Sequence, residues 1–372
     1  WMITLVAIPL FVVMGIALER SGLADDLYHT LYLWCGPLRG GLAIATVTIS
    51  AIIAAMAGVA AAAVVSMGLI GLPAMLKRNY NKSLAIGSIL ASGPLGILIP
   101  PSVPMVILGT SANMSIGRLF AGGVMPGIMM TVMFIVYIGL RCFFQRRLAP
   151  ALPPGERGTW REKLISLRSV ILPAILITAV LGSIFAGIAS PTEAAAVGAL
   201  GALICAIIYR RFNWQFVKEV SYRTASFTAM IMWITFGAVA FSAVYSGAGV
   251  TAFILRTLSE WEINRWFILL AMELILIFLG CFLEPASEIL ICAPIFFPII
   301  NALRFDPTWF GILFIMLIMV GYLTPPFGYS IFYLKSVAPP DISMTDIYRS
   351  IGPWIIIMLL AIALVMAFPQ IA

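Results

Sequence analysis

Apolar residues fill long stretches of this 372-residue chain, and its charged positions gather into short clusters between them. The first stretch runs from Ile3 to residue 18 and is closed by Glu19-Arg20-Ser21-Gly22. Residues 25–39 differ: Leu27, Leu31 and Trp34 recur at helical spacing among polar neighbours, which predicts an amphipathic helix at the membrane interface. Apolar stretches then recur at 41–56, 64–75, 84–108, 120–140, 171–188, 191–209, 225–245, 267–283, 309–334 and 351–368. About 20 apolar residues carry a helix across a bilayer, whereas a transmembrane barrel shows short alternating segments. The pattern predicts an all-α polytopic membrane protein.

Two stretches cannot be unbroken helices. In Gly93-Pro94-Leu95-Gly96-Ile97-Leu98-Ile99-Pro100-Pro101-Ser102-Val103-Pro104, prolines remove amide donors and push each preceding residue out of the helical region. Tyr322-Leu323-Thr324-Pro325-Pro326-Phe327-Gly328-Tyr329 repeats the interruption near the C-terminus. Such a break leaves free N–H groups on one side and free carbonyls on the other, which suits ions and anionic ligands. At membrane depth, non-helical backbone survives only inside protein or along a wet cavity. One proline pair alone reads equally well as a structural kink, so the second copy carries the functional reading.

The copies share a frame. Pro100 and Pro325 stand 225 residues apart, and each follows a proline, Pro73 or Pro298, by 27 residues. The weakly helical runs Met56-Ala57-Gly58-Val59-Ala60 and Leu283-Glu284-Pro285-Ala286-Ser287 precede them; Gly58 lies 42 residues before its break and Glu284 lies 41. Paired interrupted segments in two halves are the sequence signature of a secondary transporter's binding site. The expected organisation is a first repeat over 1–140 (break at 93–104), a basic linker over 141–169, and a second repeat over 170–372. The second repeat would hold a hairpin at 284–300 and a break at 322–330. A small-residue turn at 57–63, returning through 64–75, predicts the first hairpin.

Composition narrows the class further. With 62% hydrophobic and 10% charged residues and a mean hydropathy of +1.08, a soluble enzyme is excluded. The net charge of +7 reads as topology rather than nucleic-acid affinity. Residues 141–168 hold seven basic side chains against Glu156 and Glu162, so this loop, with Pro150, Pro153, Pro154 and Gly155, is expected in the cytoplasm. Arg256, Glu260, Glu262 and Arg265 balance, as expected of the opposite side. Cys35, Cys142, Cys205, Cys281 and Cys292 show no metal-type pairing and read as apolar filler. His29, the only histidine, reads as an interfacial polar tip. The chain opens on Trp1, so natural residues before it are expected to be missing.

These motifs resemble the large membrane subunit of a tripartite ATP-independent periplasmic (TRAP) transporter. The resemblance rests on 95–104, on Ser115-Ile116-Gly117-Arg118-Leu119-Phe120 with Gly123 and Pro126-Gly127, on Pro191-Thr192-Glu193-Ala194-Ala195-Ala196-Val197-Gly198-Ala199, and on Leu323-Thr324-Pro325-Pro326-Phe327-Gly328. It implies an inverted-repeat elevator fold with two re-entrant hairpins and two broken helices. It also implies a small membrane subunit, a periplasmic solute-binding protein, a small organic acid as substrate, sodium as coupling ion, no cofactor, and residence in the bacterial inner membrane. Carried over, one sodium site would use Gly58, Val59, Pro100, Pro101 and Ser102. The other would use Ala286, Ser287, Thr324, Pro325 and Pro326, with Gly328 nearby.

One departure bears on mechanism. The family's first hairpin tip usually carries serines, whereas this chain has Ala57, Val59 and alanines at 60–63. The first site must then rely on carbonyls and Ser102. Among acids in apolar segments, Glu193 reads as a helix cap. Glu284 and Glu288, one turn apart, are candidates for tuning a cation site or carrying a proton, with a paired structural role equally open. The alanines keep a second reading alive, a related ion-coupled carrier working without a binding protein. A membrane-embedded enzyme would need a catalytic cluster that one histidine does not supply.

Overall fold

The computed structural model describes residues 5–153, 158–250, 253–254, 256–257 and 263–372. Trp1, Ile3, Pro154, Gly155, Glu156, Glu260 and Glu262 lie outside the described residues. Every regular element among the described residues is helical. Helix α1 (Ala7–Arg20) bends by 60° into α2 (Leu23–Cys35) at the left-handed Gly22. Hairpin one follows as α3 (Gly41–Ala57) and α4 (Ala60–Leu69), continued by α5 (Gly71–Lys77). The first broken helix is α6 (Lys82–Ser92) with α7 (Leu95–Leu98), then α8 (Val103–Ser111) after a bend of 43°.

The long helix α9 (Ile116–Phe144) delivers the chain to α10 (Trp160–Ser166) and α11 (Arg168–Phe185). Then come α12 (Pro191–Ile208) and α13 (Trp214–Gly247). The second unit repeats the order of the first. Helix α14 (Arg265–Gly280) precedes the 284–300 range expected to hold a hairpin, which is one helix, α15 (Pro285–Ala302), capped by Glu284 with Pro285 at its first position. Hairpin two forms only from α14 and α15 together, and α16 (Pro307–Leu323) and α17 (Tyr329–Val337) form the second broken helix. Helix α18 (Met344–Ala367) and a short 3-10 turn at Pro369–Ile371 close the chain. Among the described residues, seven helices are long and apolar enough to cross a membrane, or nine if each bent pair counts as one span. The chain is a multi-pass helical membrane protein.

Local chemistry fixes the helix ends. Ser190 and Glu193 form a reciprocal capping box at the start of α12, which assigns Glu193 its capping role. Ser343 and Asp346 do the same for α18, and Asn81, Asn264 and Asp306 cap α6, α14 and α16. The turn of hairpin one is tighter than the 57–63 run predicts. Alanine is the best helix former, so α3 runs through Ala57 and α4 resumes at Ala60. Only Gly58, at φ +66°, and the extended Val59 remain outside.

Packing places both broken helices at the centre. Every residue of α16 from Trp309 to Leu323 is buried, as expected of a helix apolar on all sides. Its Gly321 meets Gly280 of α14 so closely that a Cβ on Gly321 would lie 2.6 Å from the Gly280 Cα. Gly15 of α1 sits on the tip of hairpin one, where a Cβ would lie 2.6 Å from the Ala57 carbonyl oxygen. Trp354 of α18 packs edge-on against Phe134 and Tyr137 at centroid distances of 5.4 and 5.1 Å and lies against Gly87. By contrast α13 turns Trp233, Phe236 and Val244 outward. Its N-terminal part is tied to α1 by Arg20–Glu219 and Arg223–Glu19 ion pairs, and an i,i+4 pair, Arg223–Glu219, joins them within α13.

Candidate functional site

Each hairpin tip rests on the break of its own unit. At the first, the Gly58 carbonyl accepts a hydrogen bond from the Val103 amide at 3.2 Å. Contact is close enough that a Cβ on Gly58 would stand 2.5 Å from the Pro101 oxygen, and one on Gly96 would stand 3.0 Å from the Val59 carbonyl. Ser102 caps α8: its hydroxyl accepts from the Met105 amide at 3.3 Å and donates to the Ile97 carbonyl at 2.6 Å. The hydroxyl proton is thereby committed, and one oxygen lone pair remains for a cation. Gly58, Pro100, Pro101 and Ser102 are buried, and the half-buried Val59 lies with them at the cavity side. Both double-proline bonds are cis.

The second unit is built differently. The Phe327 amide donates to the Cys281 carbonyl at 3.3 Å, and the Tyr329 hydroxyl donates to the Phe282 carbonyl at 3.4 Å. Phe282 and Phe327 stack edge-on at 6.0 Å. The hairpin turn thus grips the break through residues 281 and 282. Ala286 and Ser287 lie on the first turn of α15, beneath the Glu284 carboxylate, which accepts from the Ala286 amide at 2.9 Å. The Thr324 hydroxyl donates back to the Val320 carbonyl at 2.7 Å. Gly328 takes the left-handed conformation, φ +41°, that turns the chain into α17. Pro325, Pro326 and Phe327 are exposed.

Between the tips lies a cavity of about 390 Å³. Val59, Ala60 and Ala61 of hairpin one line one wall, and Glu284, Pro285 and Ala286 of hairpin two line another. Ile97, Val103 and Pro104 come from the first break and Phe227, Met230 and Ile231 from α13. Its size suits a compact solute. Tyr322, Tyr329 and Tyr333 complete it, with ring centroids 5.6 and 6.4 Å apart. Sequence reasoning missed these tyrosines, although their clustering around the second double proline was a visible signal. Arg118 and Arg304, arginines that lie near the two breaks in sequence and so are candidates to hold a carboxylate, are exposed and outside the lining. A larger apolar groove of about 710 Å³, between α1 and α13, touches neither break.

The acids separate by environment. Glu284 is half-buried at the cavity wall. Glu288 is fully buried, and neither carboxylate oxygen finds a hydrogen-bond partner. Glu273 of α14 is also buried, with Oε1 unpartnered. His29 is exposed on α2, beside Asp26 and Arg168 around a shallow surface pocket far from both breaks in the element order.

Two solved membrane transporters share this architecture. The YdaH transporter of Alcanivorax borkumensis superposes with a TM-score of 0.68 at 16% identity, over 98% of this chain and 85% of that one. MtrF of Neisseria gonorrhoeae, described as one of a class of antimetabolite efflux pumps, gives 0.67 at 15% identity, over 98% and 80%. At this identity the likeness shows the fold alone. Sequence relatives are nearer. The C4-dicarboxylate TRAP transporter large permease protein DctM of Pseudomonas aeruginosa is 34% identical, over 99% of this chain and 85% of its own length. The ectoine TRAP transporter large permease protein TeaC of Halomonas elongata is 31% identical, over 99% and 85%. The sialic acid TRAP transporter large permease protein SiaM of Vibrio cholerae is 30% identical, over 99% and 84%. Residues 2–371 match the profile described as "Tripartite ATP-independent periplasmic transporter, DctM component", and the chain therefore belongs to the family of TRAP transporter large permease subunits.

Proposed function

We propose that this permease subunit takes up a small organic acid across the bacterial inner membrane by sodium symport, receiving the solute from a periplasmic binding protein. The observation that carries the reading is the cavity walled by both hairpin tips, each tip resting on a proline break. A solute there touches both units at once. Sodium would bind at Gly58, Val59, Pro100, Pro101 and Ser102, and again at Ala286, Ser287, Thr324, Pro325, Pro326 and Gly328. Oxygen ligands suit a hard cation, and unwound carbonyls supply them without buried formal charge.

Coupling would run through the hairpin tips. Sodium under a tip favours the closed hairpin, and so does a solute against the same tip, so each ion raises the affinity for the other by the same factor. The hairpins and broken helices would move as one body against a scaffold that includes α1, α12 and α13. The small subunit would pack on that scaffold in the membrane. Arg141, Arg146 and Arg147 would face the cytoplasm.

The deciding experiment is uptake into proteoliposomes holding this chain and a small subunit, with an inward sodium gradient and with or without the binding protein. Labelled succinate, ectoine and sialic acid serve as probes, following the relatives' substrates. Uptake that needs both sodium and the binding protein supports the proposal. Uptake without the binding protein instead selects the related carrier.

A further inference from the structure

Helix α13 leaves an apolar groove against α1 that solute transport does not use. It holds about 710 Å³ and is walled by Pro9 and Val13 of α1, Leu203 of α12, and Phe216, Val220 and Met232 of α13. At a rise of 1.5 Å per residue, the stretch from Phe216 to Met232 makes it about 24 Å long. That is close to one bilayer leaflet with its headgroups, roughly 20–22 Å. Volume and length together give a mean section of about 30 Å², whereas a helix about 10 Å wide needs roughly 80 Å². The groove therefore takes extended hydrocarbon chains and not a helix.

Polar groups inside it await a partner. Thr224 and Thr228 line the groove one helical turn apart, and neither hydroxyl finds a hydrogen-bond partner, although Thr224 is only 9% exposed. Thr48, Thr131 and Thr235 return their hydroxyls to the carbonyl four residues back, the usual solution for a threonine within a helix. The two groove threonines instead keep their donors for something seated beside them.

Charge marks one end of the groove. Arg20, Arg210, Arg211, Lys218 and Arg223 stand there against Glu19 and Glu219. Both acids are taken by Arg20 and Arg223, and among the described residues Arg210, Arg211 and Lys218 form no ion pair. Arg211 lies just past the end of α1, its Nε 3.7 Å from where a Cβ on Gly22 would stand, and Phe212 leads from it into the lining. The positive-inside rule assigns this end to the cytoplasm, where anionic headgroups attract basic clusters.

We propose that the groove is a binding site for an anionic phospholipid of the cytoplasmic leaflet. Its phosphate meets Lys218 and the extended side chain of Arg211, its ester carbonyls accept from the threonine hydroxyls of α13, and its chains fill the apolar walls. Such a lipid fills the space between α1 and α13 whatever solute or coupling ion the permease uses.

The test is photolabelling of the chain, alone and in complex with a small subunit, in detergent. Phosphatidylglycerol and phosphatidylcholine with a photoactivatable acyl chain are the probes, and labelled peptides are mapped by mass spectrometry. Phosphatidylglycerol should label the 212–232 segment in both preparations, and more strongly than phosphatidylcholine. Ala225→Trp, which fills the groove from an exposed position, should remove that labelling. A second variant needs no repacking: Arg211→Gln with Lys218→Gln changes two exposed side chains. It should raise the half-saturating phosphatidylglycerol concentration about 30-fold, about a factor of five for each surface base, and leave phosphatidylcholine unaffected. Equal labelling by the two lipids, labelling spread evenly over the outward face at Trp233 and Phe236, or competition by glycerol phosphate at the lipid's own concentration overturns the proposal. Labelling of the chain alone that the small subunit abolishes also overturns it, because the groove then belongs to that subunit.

Discussion

Replacing Gly58 by alanine tests whether the first tip must touch its break. Two costs arise. A left-handed φ of +66° costs an L-residue about 1–2 kcal/mol. The new methyl would also stand 2.5 Å from the Pro101 carbonyl oxygen, which is backbone in a buried triplet and cannot swing aside. Overpacking of that kind adds about 1–3 kcal/mol. Together about 2–5 kcal/mol would weigh against the closed tip. At about 1.4 kcal/mol per decade, the smaller figure already lowers the closed-to-open ratio about 30-fold. If sodium binds only under the closed tip, its half-saturating concentration should rise by up to that factor, in full once the open tip is the major state. The assay is uptake against external sodium at fixed solute, beside a thermal unfolding scan. Gly139→Ala, where a Cβ meets nothing within 4 Å, is the control and should match the wild type. A Gly58→Ala permease with the wild-type sodium curve would refute the proposed first site.

Three further outcomes follow from the same geometry. Thr324→Phe should abolish uptake while the protein still folds, because Thr324 is half-exposed and gives up only a bond to its own helix; normal sodium-dependent uptake removes it from the second site. Gly321→Ala should lower the unfolding midpoint by the equivalent of about 1–3 kcal/mol of overpacking, as its Cβ would lie 2.6 Å from the Gly280 Cα; an unchanged scan contradicts the close crossing. Ser190→Ala removes one arm of the α12 capping box and should cost about 0.5–2 kcal/mol in stability, with the sodium dependence of uptake untouched.

The breaks were legible because proline acts locally: a missing amide and a clash with the preceding residue mark Pro100-Pro101 and Pro325-Pro326 whatever surrounds them. Glu193 was legible for a similar reason, since its cap partners lie within three residues. What the sequence could not show was long-range approach. Gly280 and Gly321 are 41 residues apart, and nothing in either neighbourhood announces that their backbones touch. Helical spacing put Glu284 and Glu288 on one face, yet only the fold shows that one meets the cavity while the other is sealed. The tip at 57–63 was drawn too long because small residues were read as a turn, although alanine favours helix.

The two breaks also differ in a way that the matching motifs conceal. Pro100, Pro101 and Ser102 are buried under Gly58, and the Ser102 hydroxyl is already engaged at both ends. Pro325, Pro326 and Phe327 are exposed, and that break is held to its hairpin by carbonyls of the 281–282 turn and the Phe282–Phe327 ring contact. The first break is therefore covered by its glycine tip, whereas the second stands open at the surface of the chain. At the proposed sites, an ion at Ser102 would lie beneath the Gly58–Val103 hydrogen bond, whereas the hydroxyl of the half-exposed Thr324 bonds only its own helix. On the proposed reading, exchange with solution would begin at the second unit, where Glu284 meets the cavity, and coupling would spread to the alanine-lined first tip through the cavity both tips share.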